Sequence, residues 1–221
     1  SHPVGDGAGS GLLVPEIRVD RVSGVEIALP YYLSLSPSRD ITVTPHVYSN
    51  AMPMGELEVR GLTAHGAWQV HGYATYSRLV PLNTPAADEH EAFRGYLESS
   101  GGFQFDPRWS LYFSGRIATD RTFLRRYDIS RDDRLRSTFT LARNGGSSYL
   151  TISGWAVQTL RANDSQGQQP IALPLIDFRQ RIDDPWLGGL FEVQANTLAL
   201  TRTSGQDTQR AFVSAQWDWR S

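Results

Sequence analysis

Cysteine and lysine are both absent from the 221 residues. Without cysteine, this sequence has no disulfide, no thiolate metal ligand and no cysteine nucleophile. All 21 basic residues are arginines, which we attribute to genome composition before any special binding role, although arginine binds phosphate and carboxylate in a two-pronged manner. The net charge of −2 provides no general basic field, so nucleic acid is not an expected partner.

Long hydrophobic runs are absent as well. No apolar run approaches the ~20 residues that a transmembrane helix requires, and the mean hydropathy is −0.36. A membrane β-barrel stays possible, because its strands show only about ten alternating residues each. The N-terminal stretch SHPVGDGAGSGLL lacks the basic and apolar regions of a signal peptide. We interpret residues 1–10 as a flexible linker or a cloning remnant.

Polar and apolar residues alternate with a period of two along most of the sequence. Turn signals such as Asn144-Gly145-Gly146 and Ser204-Gly205 separate the alternating segments. The pattern predicts an all-β chain, an antiparallel meander of about ten to twelve strands. One or two helical turns are expected at Asp120–Tyr127, and longer connections at Val80–Glu91 and Arg181–Trp186.

Alternation alone does not say which face is buried. A soluble sandwich buries its apolar face, whereas a membrane barrel turns that face to lipid and its polar face to the lumen. Aromatic residues near predicted strand ends, such as Tyr31, Tyr48 and Trp217, fit either arrangement. At this point a membrane barrel and a soluble β-sandwich or barrel that binds glycans or lipids are equally supported.

Catalytic and metal-binding motifs are weak. The histidines are scattered, at His2, His46, His65, His71 and His90. The stretch GDGAGSG lacks the Lys-Ser/Thr of a phosphate-binding loop, and no serine lies in a G-x-S-x-G elbow. Glu56 and Glu58 share a strand face, but nothing in the sequence places either carboxyl in an apolar pocket. We therefore expect no enzyme activity, no cofactor and no metal.

The stretch LPYYLSLSPSRDITVTPHVYS, residues 29–49, combines a strand-like composition with three prolines, which cannot donate ladder hydrogen bonds. It resembles the start of the barrel of the LPS-assembly protein family LptD, also called organic solvent tolerance protein (OstA). Leu29–Tyr48 is similar nearly residue for residue, with Leu33 where the family usually has Trp. GLLVPEIR at Gly11–Arg18 and GELEVRGL at Gly55–Leu62 resemble the flanking strands.

Two later segments resemble the same family, ATDRTFLRRYDIS at Ala118–Ser130 and the region Leu173–Arg202. The family's periplasmic N-terminal domain, its disulfide cysteines and the second half of its barrel of about 26 strands have no counterpart in the sequence. We interpret residues 11–221 as a partial LptD-type barrel domain, the front half of a large transmembrane β-barrel.

This resemblance implies a transport function. Family members insert lipopolysaccharide (LPS) into the outer leaflet of the Gram-negative outer membrane through a barrel lumen and a lateral gate flanked by proline-containing strands. The matching gate prolines are Pro15, expected in the first strand, and Pro30. Pro37 and Pro45 are expected at a turn and at a strand end.

The resemblance also implies lumen residues and partners. The partners would be LPS, an LptE-type plug lipoprotein inside the barrel, an LptA-type bridge protein that docks on the missing N-terminal domain, and outer-membrane lipid. Alternation nominates seven polar side chains for the lumen: Glu56, Glu58, Arg60, Gln69, His71, Tyr73 and Arg116.

Overall fold

The computed structural model describes residues 9–21, 23–79, 90–183 and 188–219. Strands dominate this part of the chain, because alternating residues with β-branched and aromatic side chains favour a pleated, half-buried surface. The strands are β1 (Gly11–Leu12), β2 (Glu16–Asp20), β3 (Gly24–Ala28), β4 (Tyr31–Ser36), β5 (Arg39–Tyr48), β6 (Met54–Thr63), β7 (Gly66–Leu79), β8 (His90–Gln104), β9 (Trp109–Ala118), β10 (Arg134–Asn144), β11 (Ser148–Thr159), β12 (Ile171–Asp183), β13 (Leu190–Thr201) and β14 (Thr208–Asp218).

The strands form one sheet with the topology of a meander. Its hydrogen-bonded order is β1-β4-β5-β6-β7-β8-β9-β10-β11-β12-β13-β14, and the β2–β3 hairpin lies beside this path, joined to it where β3 pairs with β5. The pairings are antiparallel, as in β5–β6 and β12–β13. Among the described residues, β1 and β14 are the two edges of the main path. The predicted all-β antiparallel meander is confirmed, with fourteen strands in the described ranges where about ten to twelve were expected.

Helical structure is limited to two short turns in the described chain. One is α1 (Phe123–Arg126), within the predicted segment Asp120–Tyr127, and the other is a 3₁₀ turn at Gln166–Gln168. No helix in the described ranges has the length and apolar character needed to span a membrane. Residues 80–89 of the connection predicted at 80–91 lie outside the described residues, and residues 90–91 begin β8 instead. Residues 181–183 of the connection predicted at 181–186 belong to β12, and residues 184–186 lie outside the described residues.

The chain divides into two compact units. Unit 1 comprises Ser1–Ser100, Gly115–Leu135 and Thr159–Asp164, and unit 2 comprises the remaining segments. Unit 1 has an apolar cluster where β5 ends and β6 begins, and α1 supplies its centre, with Phe123 and Leu124 fully buried. Its other members are Tyr48, Met54, Tyr96, Ala118, Tyr127, Leu135 and Leu160.

Unit 2 consists mainly of long paired strands. β13 and β14 stay in register from Leu190 opposite Asp218 to Leu200 opposite Thr208. β12 pairs with the edge of β13 that β14 does not occupy, and this pairing has one register shift, between Ala172 and Leu175. These regular ladders fix which side chains share a face, because neighbouring residues of a strand point to opposite faces.

Candidate functional site

The β6–β7 register places six of the predicted lumen residues on one face of unit 1. Glu56 lies opposite Tyr73, Glu58 opposite His71, and Arg60 opposite Gln69. β5 extends this face, because Asp40, Thr42 and Thr44 lie opposite Arg60, Glu58 and Glu56. We call it the polar face of unit 1; its members on these strands are Asp40, Thr42, Thr44, His46, Tyr48, Glu56, Glu58, Arg60, Gln69, His71 and Tyr73.

Arg116, the seventh predicted residue, joins the same polar network from β9. Its Nε lies 2.7 Å from the Tyr96 hydroxyl and its Nη2 lies 2.6 Å from Asp132 Oδ2. The hydrogen bond from Arg116 lowers the pKa of the Asp132 carboxyl, which lies in the connection before β10. Glu98 links the groups further, with its carboxylate 3.7 Å from Arg116 Nε and 3.7 Å from His71 Nδ1.

The centre of the polar face is a carboxylate–imidazole network. His46 Nδ1 lies 2.7 Å from Glu26 Oε1, and His46 Nε2 lies 2.7 Å from Glu56 Oε2. The second Glu56 oxygen lies 2.6 Å from His71 Nε2. A separate ion pair joins Arg60 Nε to Asp40 Oδ1 at 2.9 Å. Hydrogen bonds therefore satisfy the charged groups that this face shields from solvent.

Sequence reasoning missed Glu26, Asp40 and His46 as members of this site. The signal was present in β5, where the even-numbered residues Asp40, Thr42, Thr44 and His46 are all polar and the odd-numbered Ile41, Val43 and Val47 are apolar. Within the described ranges, no group of three or more His, Asp or Glu side chains is arranged to hold a metal ion.

The opposite face of unit 1 is apolar and exposed. Val43 is 40% exposed and Val47 is 52% exposed, whereas Thr44 and His46 between them are only 6% and 8% exposed. Leu57 and Tyr76 on the neighbouring strands are exposed on the same apolar face. This distribution is the reverse of a soluble sheet, in which the apolar face packs into a core and the polar face meets water.

The two faces of unit 2 also differ in composition, but exposure does not separate them, since Phe212 on the polar face is 55% exposed. The face that carries Asp177 and Asn196, which lie opposite each other on β12 and β13, is polar. The other face carries large apolar groups such as Val213, which is 72% exposed. A cavity of about 740 Å³ in this unit is lined by side chains that include Thr151, Asp177, Asn196, Arg210 and Phe212. The buried Thr151 hydroxyl has no hydrogen-bond partner among the described residues.

The two predicted gate prolines lie beside the short edge strand β1. β1 pairs with β4 through two residue pairs only, Gly11 with Tyr32 and Leu12 with Tyr31. Pro30 immediately precedes β4, and its carbonyl accepts a hydrogen bond from the Leu13 amide at 2.8 Å. Pro15 was expected within the first strand, but it lies between β1 and β2.

Pro37 and Pro45 differ in their surroundings. Pro37 lies in the two-residue turn between β4 and β5, as expected. Pro45 was expected at a strand end, but it lies inside β5, where β5 changes partner from β4 to β3 along one edge. Its carbonyl accepts from the Leu29 amide at 3.1 Å on that edge. The N–H and C=O of a strand residue point to the same side of the strand. The Pro45 nitrogen therefore faces the edge where β4 gives way to β3, and its missing N–H takes no hydrogen bond from the β5–β6 ladder.

The fold and its two faces define the class of protein. It is an antiparallel β-meander, and its unit 1 has a hydrogen-bonded polar face and an exposed apolar face, the arrangement typical of strands in membrane β-barrels. Comparison with known proteins identifies the family. The family model described as LptD, LPS transport system D, matches residues 92–221. The chain belongs to this LptD family.

Individual relatives agree with the family match. The chain is 29% identical over 199 residues to the LPS-assembly protein LptD of Actinobacillus pleuropneumoniae serotype 5b (strain L20), an alignment that covers 88% of this chain and 25% of the relative. It is 27% identical over 168 residues to LptD of Salmonella choleraesuis (strain SC-B67), which covers 75% of this chain and 20% of the relative. The chain therefore spans about a quarter of the length of the curated relatives it matches.

Proposed function

We propose that the chain is part of an outer-membrane β-barrel that transports LPS to the outer leaflet of a Gram-negative bacterium. Membership of the LptD family supports the LPS-transport function. The observation that carries the membrane location is the exposure of the apolar face, as at Val43, Val47 and Val213. The alternative, a soluble module that binds glycans or lipids, requires a buried apolar face.

The polar face is proposed to line the lumen. In this assignment Glu56, Glu58, Arg60, Gln69, His71, Tyr73 and Arg116 face the path of the sugar portion of LPS. Carboxylate, hydroxyl, amide and guanidinium groups on this face can accept hydrogen bonds from, or donate them to, sugar hydroxyls and phosphates, which supports the assignment. Partners of the proposed transporter are LPS, outer-membrane lipid, an LptE-type plug inside the barrel, and an LptA-type bridge protein through an N-terminal domain.

Connection lengths in unit 1 support an orientation. Two-residue turns at 37–38 and 64–65 join β4 to β5 and β6 to β7. The opposite strand ends carry the longer connections 49–53 and 119–133, the second of which contains α1. Outer-membrane barrels have short periplasmic turns and long extracellular loops. We assign the end with the two-residue turns to the periplasm and α1 to the extracellular side.

The lateral gate is proposed to lie at the β1 edge, beside Pro15 and Pro30. Two residue pairs join β1 to β4, Pro30 lacks the backbone donor that could reinforce its hydrogen bond with Leu13, and Pro15 follows β1 where this pairing has ended. A weakly paired edge strand separates from its neighbour at lower cost than a strand with a full ladder. The lipid portion of LPS would leave the barrel along this edge.

The gate is tested by the double substitution Pro15→Ala and Pro30→Ala in the full-length protein. The restored amides should strengthen edge pairing and slow LPS delivery to the cell surface. Pro107→Ala, in the exposed turn between β8 and β9, is the matched control and should leave delivery unchanged. Normal LPS delivery and normal outer-membrane permeability in the double variant would exclude the gate role of these prolines.

A further inference from the structure

His46 has a carboxylate at each of its ring nitrogens. Glu26 on β3 lies 2.7 Å from Nδ1, and Glu56 on β6 lies 2.7 Å from Nε2. A neutral imidazole carries one N–H and can donate to only one of two ionised carboxylates, whereas the imidazolium donates to both. The bridge from β3 across β5 to β6 is therefore complete only when His46 is protonated.

The charged and titratable surroundings of His46 extend over six strands, from β2 and β3 through β5, β6 and β7 to β8. His71 shares the Glu56 carboxylate at 2.6 Å, so the second imidazole competes with His46 for the same negative charge. The Tyr48 hydroxyl, 3.4 Å from Glu26 Oε1, adds a neutral donor on the hairpin side. The groups that face this network are Arg18 on β2, Glu26 on β3, Tyr48 on β5, Glu56 and Glu58 on β6, His71 and Tyr73 on β7, and Glu98 on β8.

The β2–β3 hairpin depends on a short attachment to β5. Three register pairs join β3 to β5, from Glu26 opposite Tyr48 to Ala28 opposite His46. β2 pairs only with β3 in the described sheet and is exposed along its whole length. Beyond these pairs, the Ser49 and Asn50 amides donate to the Val25 and Ser23 carbonyls. The contact of Glu26 with His46 adds a charge-assisted hydrogen bond to this attachment when the imidazole is protonated.

We propose that His46 is a positioning residue, and that its imidazolium holds the β2–β3 hairpin against β5. Loss of the His46 proton breaks one of the two carboxylate contacts and increases local opening of the hairpin. Since β3 continues through Leu29 and Pro30 directly into β4, opening of the hairpin also loosens the sheet next to its β1 edge. The proposal concerns the conformation of the hairpin and does not depend on the transport function.

Hydrogen–deuterium exchange of the full-length protein in detergent micelles tests this proposal between about pH 5 and about pH 9, a range that spans the ordinary titration of histidine near 6.5. Protection factors, which correct for the intrinsic rate at each pH, are compared for peptides within residues 16–28 and 54–63. Protection of the hairpin should fall on the order of tenfold as the pH rises, because one charge-assisted hydrogen bond is lost. Protection of β6 should change little.

His46→Gln should give low hairpin protection with no pH dependence, because an amide has donors on one atom only and cannot donate to carboxylates on opposite sides. His65→Gln, at an exposed histidine in the β6–β7 turn, is the matched control and should keep the wild-type profile. Glu26→Gln tests the same bridge from the hairpin side, should His46→Gln not fold, and should also lose the pH dependence.

A wild-type hairpin whose protection is the same across the pH range would overturn the proposal. Retention of the wild-type pH profile in His46→Gln or Glu26→Gln would overturn it as well. The exchange measurement reads the hairpin directly, whereas the proline variants read LPS delivery. Failure of the hairpin proposal and failure of the transport proposal are therefore distinguishable.

Discussion

The Arg94 guanidinium and the Asp120 carboxylate form a bidentate ion pair, with Nε 2.8 Å from Oδ2 and Nη2 2.9 Å from Oδ1. The two side chains are only 4% and 12% exposed. The same guanidinium donates to the Thr122 hydroxyl and lies over the Phe123 ring. Because Arg94 belongs to β8 and Asp120 to the connection 119–133, the pair holds the start of that connection against β8.

Arg94→Met should destabilise the protein by about 3 kcal/mol, because it leaves the shielded Asp120 carboxylate without its cation. Urea unfolding of the detergent-solubilised protein, followed by tryptophan fluorescence, measures the loss. Arg131→Met is the matched control, since Arg131 is exposed and lies 3.5 Å from an exposed Asp128. Equal stability of the two variants would show that the Arg94–Asp120 pair has no structural importance.

Asp120 also predicts an acid dependence of stability. Burial alone would raise the pKa of Asp120, but hydrogen bonds from Arg94 and Thr122 hold this pKa below its ordinary value. A carboxyl whose pKa is lower in the folded state adds stability above the unfolded value, near 3.9, and loses it as the pH falls through the folded value. The stability difference between wild type and Asp120→Asn should therefore be largest at neutral pH and shrink below about pH 4.

Urea unfolding at about pH 7 and about pH 3 measures that difference, with both variants in the same detergent. Subtraction of the Asp120→Asn curve removes the contribution of the other carboxyls. A difference that stays constant across this range would contradict the assignment of the shift to Asp120.

Phe123→Ala should cost about 3–5 kcal/mol, because a fully buried aromatic ring in α1 is replaced by a cavity. The ring packs against Tyr127, which follows α1, with ring centroids 5.2 Å apart, so the substitution also removes this contact. Thermal unfolding by near-ultraviolet circular dichroism measures the effect. Arg125→Ala, at a half-exposed position of the same helix, should cost much less.

Gly61→Val should destabilise β6 by about 1–3 kcal/mol. Gly61 lies opposite Trp68 on β7, and a side chain at this position would overlap the Trp68 indole ring. Gly55→Val on the same strand is the control, because the nearest atom to a Cβ there is the Ala74 carbonyl oxygen at 3.9 Å. If the two variants have the same unfolding midpoint, the Trp68 ring moves aside without a cost in stability.

Local alternation made the faces of β6 and β7 predictable. The period-two pattern placed Glu56, Glu58 and Arg60 on the same face of β6, and Gln69, His71 and Tyr73 on the same face of β7. The β6–β7 register shows that these two faces lie on the same side of the sheet. Alternation cannot say which face is exposed, because a soluble sheet and a membrane sheet show the same pattern. The difference in exposure between Val43 and Thr44 required the folded chain.

Contacts between distant residues were not predictable from local pattern. β3 pairs with β5 and not with β4, which follows it in sequence, and this long-range pairing brings Glu26 to His46. The first strand also ends earlier than expected, at Leu12. Pro15 accounts for the break, because it lacks a donor and restricts the conformation of Val14 before it.

The central claim, that the apolar face of the sheet meets lipid, is tested most directly by a nitroxide scan of residues 212–215 in β14. Single cysteines replace Phe212, Val213, Ala215 and Ser214 in a cysteine-free, full-length protein in lipid bilayers. Phe212 and Ser214 lie opposite Asn196 and Gln194, whereas Val213 and Ala215 lie opposite Ala195 and Val193. Power-saturation measurements compare collisions of each label with oxygen and with a water-soluble nickel complex.

Labels at 213 and 215 should collide preferentially with oxygen, and labels at 212 and 214 with the nickel complex. This alternation would place the apolar face in lipid and the polar face in water. Labels at 213 and 215 that are immobile and inaccessible to both reagents would instead indicate a packed core, and would contradict the membrane-facing sheet.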